Sequence, residues 1–115
     1  MSLPFYGIPN CDTVKKARTW LEANGIAYRF HDYKKEGADP ARLARWASLV
    51  GWERLLNRAG TTFRKLDDAD KADIDEAKAI ALMAANPSLI KRPVVEVGGG
   101  LLVGFKADEW AGTLL

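Results

Sequence analysis

Apolar and polar positions along the chain fall into short stretches with different periods. Leu3 to Ile8 is an apolar run closed by Gly7, Pro9 and Asn10, the pattern of a buried first strand that ends in a tight loop. From Asp12 to Asn24 the apolar residues Val14, Ala17, Trp20 and Leu21 recur at helical spacing, with Lys15, Lys16, Arg18 and Glu22 on the other face. Asn24-Gly25 supplies a C-terminal stop. Ile26, Tyr28 and Phe30 then alternate with Ala27, Arg29 and His31, which predicts a second strand running to about Tyr33.

Asp39-Pro40 reads as a helix cap followed by proline at the first helical position. Leu43, Trp46, Ala47 and Val50 mark the buried side of that helix, Gly51 ends it, and Trp52 to Leu56 adds a further turn. Asn57 to Leu66, with Gly60, two threonines, Arg58, Arg64 and Lys65, is expected to be a loop. A third helix is expected from about Asp73 to Ala85, with Ile74, Ala77, Ile80, Ala81 and Ala84 inward and Asn86-Pro87 as its end. Arg92-Pro93 precedes Val94 to Val97, and Gly98-Gly99-Gly100 then turns into Leu101 to Val103, a hairpin. Ala107 to Leu114 closes the chain as a short helix.

The order is strand, helix, strand, a helical block, strand, strand, helix. A helix joins the first two strands, so they are parallel; a short turn joins the last two, so they are antiparallel. The expected fold is α/β, a thioredoxin-like mixed four-stranded sheet with a helical insert over about residues 39–88. At 115 residues the chain has room for one domain.

Composition then removes several function classes. A net charge of +2 is too small to argue for nucleic acid. One cysteine excludes an internal disulfide, and with a single histidine, His31, no ligand cluster for a metal is expected. The N-terminus lacks a signal-peptide pattern and no apolar stretch reaches membrane-spanning length, so a cytoplasmic protein with a free thiol is expected.

The chemistry concentrates at Cys11, in the turn opening the first helix, where unpaired backbone N–H groups and the helix dipole favour an anion. A lone cysteine is more often a small buried side chain. Here the exposed Pro9-Asn10 turn and the nearby Lys15 and Lys16 favour reactivity, while the Asp12 carboxylate works modestly against it. In the expected layout the Arg92-Pro93 loop faces the start of the first helix, so the Arg92 guanidinium could hold an oxyanion or carboxylate and favour the thiolate. His31 is expected at the surface, and Gly98-Gly99-Gly100 as a turn rather than a phosphate loop. Trp20, Trp46, Trp52 and Trp110 are expected mostly in the core.

With these residues in place, the chain resembles the arsenate reductase (ArsC)/Spx family, and within it the YffB-like subgroup. The matching stretches are Tyr6 to Ala17, Leu55 to Arg64, Ile90 to Val95, and Val103-Gly104-Phe105. The resemblance implies a catalytic cysteine at Cys11 and an anion-binding arginine at Arg92, followed by a cis proline at Pro93. Asn10, Lys15, Arg58, Pro93, Gly104 and Phe105 are expected to form the substrate- or glutathione-binding set. Glutaredoxin-coupled arsenate reductases have a histidine where this chain has Gly7, an arginine where it has Lys15, and another where it has Gly104-Phe105-Lys106. Spx regulators carry a second cysteine where Val14 stands. The expected activity is therefore a thiol-dependent reductase with no bound cofactor, acting on a small oxidised or anionic substrate with glutathione as co-substrate and glutaredoxin as a protein partner. The alternatives are an Spx-like module that binds RNA polymerase without turnover, and an arsenate reductase with a degenerate anion pocket.

Overall fold

The computed structural model describes residues 2–115, which form two compact units. The first joins the chain up to Tyr33 with Arg92–Leu115, and the second is Lys34–Lys91.

The first unit contains β1 (Leu3–Gly7), α1 (Asp12–Ala23) and β2 (Tyr28–Asp32). A short helix α2 (Tyr33–Glu36) begins where the second strand was expected to end. In the second unit follow α3 (Pro40–Val50), α4 (Trp52–Leu55), α5 (Thr61–Arg64), α6 (Asp68–Lys71) and α7 (Glu76–Ala85), then a 3-10 turn over Pro87–Leu89. The first unit resumes with β3 (Val94–Val97), β4 (Gly100–Val103) and α8 (Ala107–Leu114). The four strands lie in the order β2-β1-β3-β4. The β1–β2 pair is parallel and the β3–β4 pair antiparallel, as the connections required, and β1–β3 is antiparallel as well. Among the described residues no helix is long and apolar enough to cross a membrane.

Register explains the core of the first unit. Phe30, Phe5, Val95 and Leu102 are successive partners across all four strands, so their side chains share one face. Buried Val14, Ala17 and Leu21 of α1 and Trp110 of α8 cluster with Phe5, Val95 and Leu102. Trp20 lies at the edge of the apolar stripe of α1 and is only half-buried, as is Trp52. Gly7 ends β1 against that helix: a Cβ there would stand 3.0 Å from Val14 Cγ2, so the strand approaches α1 closely only because the side chain is missing.

In the second unit Asp39 caps α3, its Oδ1 accepting from the Ala41 N–H at 3.0 Å, with Pro40 in the first turn. Two expectations are corrected. The Asn57–Leu66 segment contains a helical turn, α5, closed by Arg64 N–H to Gly60 O at 3.3 Å and Lys65 N–H to Thr61 O at 3.1 Å. One turn is too short to leave a periodic pattern. The third helix starts at Glu76 on the Asp75 cap, and it buries Ala79 and Met83 while Ala77 and Ala81 are exposed. Its sequence is apolar almost all round, so spacing did not single out a face.

Candidate active site

The turn after β1 brings Cys11 to the N-cap of α1, with extended backbone angles (φ −117°, ψ 125°) and its carbonyl accepting from Lys15 N–H at 2.9 Å. Pro9 and Asn10 ahead of it are exposed, and Cys11 itself is half-buried with no disulfide partner. Its side chain makes no capping hydrogen bond. Thiol sulfur is a weak acceptor, so the first helical N–H groups are left to serve an anion there.

The charge state of Cys11 is set by opposing effects. Burial pushes the thiol pKa up, whereas the Val14 N–H, a hydrogen bond from Arg92, the Thr13 N–H and the positive charge of Arg92 pull it down. The lowering effects prevail, and the thiol is held below its ordinary range.

Arg92 reaches Cys11 because β1 and β3 are antiparallel neighbours. Tyr6 near the end of β1 pairs with Val94 at the start of β3, so the residues just after the one strand lie beside those just before the other. The Arg92-Pro93 peptide is cis, and the Gly104 N–H donates to the Pro93 carbonyl at 2.8 Å. Gly104 has a φ of +73°, where a side chain is strained. Phe105 follows, its ring 4.9 Å from that of Trp110 and 6.2 Å from that of Trp20.

Cys11 and Arg92 thus meet, and Pro93, Gly104 and Phe105 form a bonded loop in the same unit. Lys15 is exposed on α1 and is not among the groups that move the Cys11 pKa. Arg58 belongs to the second unit, where its guanidinium lies over the Trp52 ring at 5.0 Å. His31 is half-buried with its ring stacked on Tyr6 at 4.7 Å. Among the described residues no group of three or more His, Cys, Asp or Glu side chains is placed to hold a metal ion. The sequence pointed to the first unpaired N–H groups of the helix without naming them, and those that act on the sulfur are the amides of Thr13 and Val14. Their signal was the N-cap position of Cys11 itself, since the amides two and three residues on point back at a cap side chain.

Residues 6–113 match the ArsC family. A YffB protein of known structure is 61% identical, with 99% of this chain and 100% of that chain covered at a TM-score of 0.96. An arsenate reductase (ArsC) related protein from Brucella melitensis is 57% identical over 97% of this chain and 93% of its own, at a TM-score of 0.78. An uncharacterized protein of Haemophilus influenzae is 43% identical over 105 residues, 91% of this chain and 92% of that protein.

Proposed function

The chain belongs to the ArsC family, and from that premise we propose that it is a thiol-dependent reductase in which Cys11 is the nucleophile and glutathione the reductant. The observation that carries this reading is the hydrogen bond and charge of Arg92 on the Cys11 sulfur, joined by the amides of Val14 and Thr13. Together they favour the thiolate, the species that attacks a disulfide sulfur.

The chemistry balances without a second protein cysteine. The Cys11 thiolate attacks a glutathione mixed disulfide at the glutathione sulfur, a Cys11–glutathione disulfide forms, and the substrate thiolate leaves with the electron pair of the broken S–S bond. A second glutathione, as thiolate, attacks the glutathione sulfur of that intermediate; Cys11 thiolate and oxidised glutathione are released. Arg92 steadies the Cys11 anion before attack and after release, and its fork of N–H donors suits a glutathione carboxylate while the sulfur is covalently occupied.

Intact-mass measurement after incubation with oxidised glutathione tests the reading. One glutathione should add to the protein, none to Cys11→Ser, and reduced glutathione should remove the adduct. Failure of any adduct to form at neutral pH would remove Cys11 as the nucleophile.

A further inference from the structure

Cys11, Lys15, Thr19 and Ala23 stand four residues apart, so they form one row along α1. At about 1.5 Å of rise per residue, Lys15 is about 6 Å along the axis from Cys11. Beside this row Lys15, Lys16, Thr19, Trp20 and Ala23, with Phe105 and Ala107, line an open groove of about 470 Å³. That volume is of the size that takes a small organic molecule.

The wall of the groove is aromatic and held from behind. Trp20 and Phe105 lie 6.2 Å apart between ring centroids, and both rest on fully buried Trp110, at 6.0 and 4.9 Å. The Trp110 indole N–H donates to the Gly104 carbonyl at 3.0 Å, which ties this wall to the loop carrying Pro93. Ala23 and Ala107 have side chains too small to fill the space. The charged groups among the lining residues are the two lysines, so the groove is apolar in its body and cationic at its rim. An aromatic or aliphatic body gains by leaving water against Trp20 and Phe105, and an attached carboxylate gains from the ammonium groups.

We propose that this groove is the substrate subsite of the Cys11 thiol, and that it takes an organic disulfide whose apolar body carries a carboxylate. The inference rests on the reductase reading above and extends it from a glutathione mixed disulfide to a second substrate class, attacked at its own sulfur. The Cys11 thiolate attacks the sulfur whose body occupies the groove; a Cys11–substrate disulfide forms, and the other half leaves as thiolate with the electron pair. A glutathione thiolate then attacks the Cys11 sulfur, expelling the groove-bound half as a second thiolate. A second glutathione attacks the glutathione sulfur and restores Cys11. Two glutathiones are oxidised, one disulfide is reduced, and the protons of the two glutathione thiols pass to the two product thiolates.

The test compares two probes on the full chain: 5,5′-dithiobis(2-nitrobenzoate), whose rings each carry a carboxylate, and 2-hydroxyethyl disulfide, which has neither ring nor charge. The ratio of their second-order rate constants at Cys11, taken on one protein, cancels changes in the thiol's own reactivity. Ala23→Phe, which fills the groove, and the double variant Lys15→Gln/Lys16→Gln, which discharges the rim, should each lower that ratio about three- to tenfold. An unchanged ratio in both variants overturns the groove and leaves the reductase reading standing. The pH profile of iodoacetamide alkylation of the unaltered protein separates the other failure. A thiol of ordinary pKa there removes the reductase reading, and the subsite falls with it.

Discussion

Replacing Arg92 with alanine takes a hydrogen bond and a positive charge away from the Cys11 sulfur. Both residues are half-buried, so a charge-assisted hydrogen bond is discounted for solvent screening to about 1 kcal/mol. A change of that size lowers the thiolate fraction on the acid side of the titration about fivefold. The thiolate that remains is more basic and a better nucleophile, with a Brønsted exponent of about 0.4–0.5, so the net loss of rate is about two- to threefold. On the alkaline side, where both proteins are fully ionised, the same exponent makes the variant about twofold faster. The two profiles therefore cross, and the inflection of Arg92→Ala lies at higher pH. Iodoacetamide alkylation followed by intact mass, from pH 4 to pH 10 at low salt, measures both limbs. Raising the ionic strength should move the inflection of the unaltered protein upward and that of the variant much less. Profiles that superimpose across the whole range would refute the role given to Arg92.

Three further outcomes follow from particular contacts. Because the folded thiol has the lower pKa, the unfolded chain binds more protons between the two values, so stability rises with pH there. Urea titrations should show the unaltered protein gaining on Cys11→Ala as pH rises, with the gain complete above about pH 8.5 and lost as pH falls through the folded value. Gly7→Ala should cost about 1–3 kcal/mol, because its Cβ would meet Val14 Cγ2 at 3.0 Å, and Val14→Ala in the same chain should recover part of that loss in a double-mutant cycle. Trp110→Phe leaves the Gly104 carbonyl without its indole donor and should destabilise the protein by about 1–3 kcal/mol in the same titration, while increasing amide exchange at Gly104.

Much of the fold was legible where a residue pattern extends over several turns or a whole strand. Val14, Ala17 and Leu21 announce α1, Asp39-Pro40 announces α3, and the Arg92-Pro93 to Val103 segment announces a hairpin. The short helices α5 and α6 were not legible, because four residues contain one turn and no period. Side-chain contacts between neighbouring turns hold that part of the second unit: the Lys78 ammonium donates to the carbonyls of Ala69 and Ala72, and Lys71 Nζ donates to Arg64 O at 2.8 Å. No local propensity reports such contacts. The groove was hidden for a related reason. Trp20 lies on the apolar stripe of α1, and the stripe does not say which of its edge residues the core leaves uncovered.

The pairing of Cys11 with Arg92 was legible because it follows from topology rather than from side-chain packing. One helix between β1 and β2 makes those strands parallel, and a tight turn between β3 and β4 makes those antiparallel. With β3 beside β1 and running against it, the C-terminal end of β1 meets the N-terminal end of β3. A cysteine just after the first and an arginine just before the second are then neighbours whatever occupies the strands themselves. Register refines this: Phe5 opposite Val95 sets the face that packs on α1, and a slip of one residue would turn Val95 away from the core. The row of buried Phe5, Val95 and Leu102, with half-buried Phe30 at its end, thus fixes how far the Arg92 loop extends past Tyr6. Hydrophobic alternation in the sheet in this way places a guanidinium on a sulfur, and a substitution that slips β3 should raise the Cys11 pKa without touching either residue.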